Sequence, residues 1–300
     1  MKLRFKQPVM DLLCGAVDIH IHSAPDLYPR ILNDIELAQH AQEMGMAAIL
    51  IKNHFTETAG RARLATDATG FNVFGGIALN LSVGGLNPHA VRAALKLGAK
   101  TVWLPTLHSR KFVANKSHVA NLAGEIGSDL KGLYVLQEDG SLKDELYPIF
   151  DLIIENDSSL ATGHVSIEEA KVVVREAAKR GVKKIVVTHP LASFVNYTVE
   201  DMKEILDLGA TWLEHVFNDT TRQVGHPITR DDLFSGIRAV GAEHSIMSTD
   251  AGQWLNPVPC QQMGIYIQDM LNFGFSEKDV KTMVQDNPSA MLGLSQTPGE

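Results

Sequence analysis

Histidine is the conspicuous residue of this chain, with 12 in 300 positions. Four of them stand where an apolar run ends. His20 and His22 form His-Ile-His in AVDIHIH, His164 closes LATGH, and His189 closes KIVVTH. Asp250 closes HSIMSTD in the same manner. Neutral imidazole nitrogens with a carboxylate form a donor set for zinc, and also for manganese, iron or nickel. A lone His-x-His is a weak signal, and one histidine at a strand end is more often a hydrogen-bonded structural residue. Five such groups are harder to explain that way, because each buried polar side chain would need its own partner. Convergence on one or two divalent ions is the simpler expectation.

The elements that must hold these groups recur along the sequence. Eight apolar runs of strand length are Ala16–His22, Ala47–Lys52, Asn72–Asn80, Lys100–Thr106, Leu160–His164, Lys184–His189, Ala210–His215 and His244–Asp250. Most follow a glycine suited to the left-handed position after a helix: Gly45, Gly70, Gly98, Gly181, Gly209 and Gly241. Asn33 with Glu36, Ser166 with Glu169 and Thr198 with Asp201 have capping-box spacing. Asn87-Pro88 reads as a cap followed by the first helical residue. Eight strand–helix units predict an α/β protein, a closed (β/α)8 TIM barrel forming a single domain over residues 1–300. Leu133–Leu142, with a turn at Asp139-Gly140, is expected to be a small strand-like insertion after the fourth strand. In such a barrel the C-terminal strand ends carry the active site. Side chains two apart on a strand share a face, so His20 and His22 should both face the axis.

Other strand-end residues become candidates for the pocket. Lys52 ends the second strand, where the apolar run AAILI would desolvate its amine and lower its pKa. A solvated lysine opening a loop is the competing reading. His54, two residues on, has the same parity. Asn80 ends the third strand, Thr106 and His108 follow the fourth, and Glu214 and His215 end the seventh. Arg30 and Arg61 are placed to hold a substrate carboxylate or phosphate. Asp26 could support a ligand histidine or shape a turn. His40, His89, His118, His226 and His244 are expected in helices or loops.

Composition narrows the partners. Lys and Arg number 27 against 35 Asp and Glu, a net charge of −8, which argues against nucleic acid. No apolar run approaches a membrane span. Cys14 and Cys260 make no disulfide framework, and Met1–Gly15 shows no secretory pattern. A cytoplasmic protein with a small-molecule substrate is expected, and assembly into a homo-oligomer stays open.

The motifs VDIHIH, TGH, THP and STDAG, in this order, resemble the amidohydrolase superfamily of metal-dependent hydrolases. HSAPD, KNHF and GGLNP further resemble a cytosolic branch of it that has no assigned substrate. The resemblance implies a (β/α)8 barrel holding one or two divalent ions. It also implies that Asp250 is a ligand or neighbour of the metal and the general base. The chain departs from two-metal members at the end of the fourth strand, where Trp103-Leu104-Pro105-Thr106 offers neither a carboxylated lysine nor a glutamate. Lys52, carboxylated, is the first substitute as a bridge, and Glu138 the second. Otherwise Lys52 stays cationic and acts on the substrate.

The expected chemistry is attack by metal-bound hydroxide on a small amide, ester, lactone or phosphoester, with Asp250 as general base. The same geometry supports a metal-dependent decarboxylase. A histidinol-phosphatase-like phosphoesterase also begins Asp-x-His-x-His-Ser, as Asp18 to Ser23 does here. Such enzymes end in Asp-x-His, where this chain has Asp250-Ala251-Gly252. A non-catalytic metal or small-molecule binding protein is the alternative from another class.

Overall fold

The computed structural model describes residues 5–115 and 131–294. Among these residues nine strand segments form the sheet: β1 (Val17–Ile21), β2 (Ala48–Ile51), β3 (Val73–Phe74), β4 (Gly76–Ala78), β5 (Thr101–Trp103), β6 (Ser159–Ala161), β7 (Ile185–Thr188), β8 (Trp212–Val216) and β9 (Ser245–Ser248). Neighbours pair in parallel in the orders β1-β2-β3 and β4-β5-β6-β7-β8-β9. β3 and β4 are two halves of the expected third strand, divided at Gly75, whose carbonyl accepts from Lys100 N–H. The ring closes between β9 and β1 through a parallel bridge from Ile21 to Ala251. There Asp250 N–H donates to the His20 carbonyl and His22 N–H to the Ala251 carbonyl, both at 2.8 Å. The result is eight strand positions, as in a (β/α)8 barrel.

The helices are α1 (Val9–Leu13), α2 (Asp34–Glu43), α3 (Ala59–Thr69), α4 (Pro88–Lys96), α5 (Arg110–Ala114), α6 (Leu146–Glu155), α7 (Ile167–Arg180), α8 (Val199–Asp207), α9 (Arg230–Val240), α10 (Pro259–Asn272), α11 (Glu277–Lys281) and α12 (Asn287–Leu292). The expected caps form. Asn33, Ser166 and Thr198 each close a capping box with the glutamate or aspartate three residues on, and Asn87 caps α4 ahead of Pro88. All six glycines expected after helices have positive φ. No described helix is long and apolar enough to cross a membrane.

Strand alternation divides the core. Ala48, Leu50, Ala78, Trp103, Ala161, Val186 and Ile246 pack together inside the ring. Ile49, Ile51, Ile77, Val102, Leu160, Val187, Leu213 and Met247 pack with the surrounding helices. Below the chemistry the barrel is therefore filled, with Thr101 and Ser159 hydrogen-bonded to each other at the strand starts, and the imidazoles and carboxylates gather at its C-terminal end.

The expected insertion follows β5 and α5 but is not a strand. Leu133–Leu142 makes only isolated bridges, Ser109 to Leu133 and Leu136 to Leu142. Glu138 is exposed there, so it lies outside the histidine cluster and cannot serve as a bridge. His40 lies in α2, His89 in α4, and His244 in a short 3-10 turn before β9. His226 is in a bend of the loop before α9, and His118 lies outside the described residues.

Candidate metal centre

Strand parity alone would not bring His20 and His22 into the barrel. Val17 and Ile19 belong to the interior cluster, so in a regular strand His20 and His22 would face outward with Asp18. The pairing of β1 with β2 slips between Asp18↔Ile49 and Ile21↔Ile51. Three steps along β1 are matched by two along β2, which is a bulge of one residue. It sends Ile21 to the outer, helix-facing core and both imidazoles inward. Asp18, fully buried, pins the bulge. Its carboxylate accepts from His20 N–H at 3.2 Å, Thr249 N–H at 3.2 Å and the Thr249 hydroxyl at 2.5 Å. Burial pushes its pKa up to about 7.

The ligand atoms converge. One atom each from His20, His189 and Asp250 lies within 4.8 Å of the others. Asp250 Oδ1 is 2.9 Å from His22 Nε2 and 3.3 Å from His20 Nε2. The rear nitrogens of two histidines are committed elsewhere. His20 Nδ1 donates to Glu214 Oε1 at 2.8 Å, and His189 Nδ1 donates to Asp219 at 3.1 Å. Each buried carboxylate thus leaves the Nε2 of its histidine turned toward the cavity. His164 is buried with neither ring nitrogen partnered, and His22 Nδ1 is likewise alone. Orphaned buried nitrogens beside a carboxylate fit a cation-binding centre.

Backbone geometry supports the same residues. His189 and Asp250 both have positive φ, 51° and 49°, which costs a non-glycine residue on the order of 1–3 kcal/mol. Two glycines make room beside them. A Cβ on Gly163, just before His164, would meet the Leu104 and Pro105 carbonyls, and one on Gly252 would meet the backbone of His22. These contacts explain the glycines of the TGH and STDAG motifs.

The electrostatics follow from burial and crowding. Burial and then the Lys52 charge lower the pKa of His20; burial and then Arg30 lower that of His22 to about 3. Burial takes His54 and His164 well below the usual imidazole range. His189 moves the other way: burial opposes its charge, but Asp219 outweighs burial and raises it. Burial would raise Asp250, yet His20, His22 and His189 hold it well below the carboxylate range. The same contest with His20 brings Glu214 down to about 2.

Lys52 is buried, not solvated. It continues the inward parity of Ala48 and Leu50, and its Nζ lies 3.0 Å from His20 Nε2 and 5.2 Å from the Trp103 ring centre. Burial lowers its pKa to about 8. His54 lines the cavity, stacked on His22 at 4.9 Å.

Five candidates stand differently from expectation. Asn80, Thr106 and His108 do not line the cavity. Thr106 Oγ1 is 2.9 Å from His54 Nδ1, and Asn80 donates to that hydroxyl and to the His54 carbonyl. His108 N–H donates to Asn80 Oδ1 and its ring accepts from Leu81 N–H, so the three form a scaffold behind His54. His215 is not brought to the cluster. Alternation along β8 turns Glu214 inward, and His215 shares the outward parity of Leu213, with both ring nitrogens buried and unpartnered. Arg61 is committed to Asp34 by two 2.8 Å contacts and to the Pro25 carbonyl, so it braces a loop. Asp26 holds Arg30, which does line the cavity.

Asp219 and Asn218 had no sequence signal, because they sit in a 3-10 turn after β8, at Phe217–Thr220. Asn218 Nδ2 donates to Asp250 Oδ2 at 3.3 Å. Leu107, Phe112, Phe194 and Val224 wall the cavity, with Phe194 4.8 Å and Phe112 5.2 Å from the His164 ring.

The profile of DUF6282, described as a family of unknown function, matches residues 15–213. None of the curated proteins matches the sequence. Solved structures share the fold at low identity. An amidohydrolase from Pseudomonas aeruginosa aligns at a TM-score of 0.59 and 12% identity, over 95% of this chain and 98% of that one. An organophosphorus hydrolase from Deinococcus radiodurans aligns at 0.58 and 13%, over 93% of both chains. A probable 2-pyrone-4,6-dicarboxylic acid hydrolase from Acinetobacter baumannii, with citric acid bound, aligns at 0.57 and 11%, over 93% of this chain and 99% of that one.

Proposed function

The chain belongs to the DUF6282 family, and we propose that it is a metal-dependent hydrolase acting on a small amide, ester, lactone or phosphoester. The observation that carries this reading is the meeting of His20, His189 and Asp250 within 4.8 Å, with the two imidazoles oriented from behind by Glu214 and Asp219. The fold relatives carry names of hydrolases, which supports the reaction class.

His20, His22, His189 and Asp250 would hold one divalent ion, and zinc suits this set of nitrogens and a carboxylate best. A second ion would draw on His164 and need Lys52 as a carbamate bridge. When bound, such an ion supplies Lewis acidity and acidifies water at the site. The protein does the rest. Asp250, kept ionised by its histidine neighbours, takes the proton of the attacking water and passes it to the leaving group. Asn218 and the left-handed backbone at Asp250 fix that carboxylate. Lys52, cationic beside His20, opposes negative charge growing on the scissile oxygen. Phe112 and Phe194 keep bulk water off the histidines and strengthen each of these interactions.

The test pairs elemental analysis of the purified protein with a hydrolysis screen over esters, lactones, amides and phosphoesters, for wild type and Asp250→Asn. One or two ions per chain, with turnover lost in Asp250→Asn, is the expected result. Full turnover without metal would refute the reading. Carbon dioxide release without hydrolysis would indicate a decarboxylase, and metal binding indifferent to Asp250→Asn in every measured function would indicate a binding protein. Ala251-Gly252 after Asp250 and the eight strand positions count against the histidinol-phosphatase-like alternative.

A further inference from the structure

The cavity above the histidines has two unlike sides. One is apolar, made by Leu107, Phe112, Phe194 and Val224, all buried. The other carries Arg30, whose side chain is only 2% exposed although it sits in a loop. That loop is fixed to the far rim: Arg30 bridges to Gln253, and Ile31 N–H donates to the Gly252 carbonyl at 3.0 Å. Asp26, itself wholly buried at the side chain, engages one edge of the guanidinium, with Oδ2 2.7 Å from both Nε and Nη2. A guanidinium has five N–H groups in a planar fork. With the Nε edge taken, the end formed by Nη1 and the outer N–H of Nη2 has no protein acceptor among the described residues. Two parallel N–H groups match the two oxygens of one carboxylate. No Arg30 nitrogen is among the sealed, unpartnered polar atoms, so this open end is reachable from the cavity that Arg30 lines.

We propose that Arg30 is the substrate anchor of this site, and that the substrate is a small monocarboxylate whose apolar body rests on Leu107, Phe112, Phe194 and Val224. This rests on the hydrolase reading for the reaction, but not for the binding. The monoanion is preferred to a phosphate dianion because Arg30 is the one lysine or arginine among the described lining residues, its open end offers two parallel N–H groups, and the Asp250 carboxylate shares the same cavity. Asp26 is a positioning residue, since it touches only Arg30 and the loop. Together they place the carboxylate at the loop side of the cavity, with the rest of the substrate over the histidine cluster.

The test uses calorimetric titration of the purified protein with phenylacetate and isobutyrate, and with their neutral isosteres phenylacetamide and isobutyramide. Wild type, Arg30→Met, Arg30→Lys and Asp26→Asn are each titrated as isolated and after chelation, with ion content measured. Arg30→Met should weaken the carboxylates roughly 10- to 100-fold and the amides less than about twofold. Arg30→Lys should recover part of the loss, because the charge survives and the fork does not. Asp26→Asn should weaken carboxylate binding with the guanidinium still present. The proposal is overturned if neither carboxylate binds wild type, or if Arg30→Met and Arg30→Lys both bind them as wild type does. It is also overturned if affinity vanishes on chelation and is indifferent to Arg30, because the carboxylate then sits on the ion. A protein with no ion that still binds carboxylates through Arg30 refutes the hydrolase reading alone.

Discussion

Asp18→Ala tests whether the bulge in β1 builds the centre. The substitution removes three hydrogen bonds, from His20 N–H, Thr249 N–H and the Thr249 hydroxyl. A buried group left without a partner costs about 1–3 kcal/mol, so the loss summed over three groups is on the order of 3–9 kcal/mol. An opposing gain comes from the carboxyl itself. Burial raises its pKa from 3.8 to about 7, which at about 1.4 kcal/mol per unit is a penalty of roughly 4 kcal/mol at neutral pH that the alanine removes. The two oppose each other and overlap in size, so unfolding free energy is a poor readout. Metal affinity is not offset in this way. Without its pin the bulge relaxes, His20 and His22 rotate from the axis, and affinity for zinc should fall about 10- to 100-fold, as for other groups that orient metal ligands. The assay is competition for zinc against a chromophoric chelator, with imidazole NMR shifts of His20 and His22 recorded alongside. If Asp18→Ala binds zinc within twofold of wild type and both imidazoles keep their shifts, the bulge does not depend on Asp18 and the reasoning fails.

Other outcomes follow from the same geometry. Asp219→Ala removes the acceptor for His189 Nδ1 and should weaken metal binding about 10- to 100-fold with little change in fold, measured by the same competition; unchanged affinity would mean that His189 is not a ligand. His215→Leu should leave metal content and turnover unaltered, because the side chain lies on the outer face; a loss of metal would return it to the site. The same variant should also change acid stability. Burial lowers the His215 pKa to about 3, below its unfolded value, so the native state takes up its proton later than the unfolded chain. Its contribution to stability is complete above about pH 6.5 and is lost as pH falls toward 3, at up to about 1.4 kcal/mol per unit. His215→Leu should flatten that limb in urea titrations at pH 7, 5.5 and 4, and parallel limbs would contradict this. Chelation should lower the melting temperature of the wild type, since an ion bound only by the folded state stabilises it by mass action, and re-added zinc should restore it.

The sequence by itself determined the periodic features. Caps such as Asn33 with Glu36 and left-handed glycines such as Gly181 are local, because a helix end must satisfy its own backbone within a few residues. Strand-end polar residues after apolar runs were legible for the same reason, and they marked His20, His22, His164, His189 and Asp250 before any contact was known. What needed tertiary structure was everything set by a neighbouring chain segment. The inward turn of His20 and His22 depends on one extra residue in β1, held by Asp18 against Thr249 across the closing seam. Glu214 and His215 are adjacent and equally polar, and only the register of β8 beside β9 decides that the first faces the histidine cluster and the second the helices. Asp219 reaches His189 from a turn 30 residues away, and Arg61 is diverted from the site by Asp34 on another helix. Period and capping are short-range and written in the order of residues. Register, bulges and partner choice are fixed only when the ring closes, because the competing acceptors are then in place.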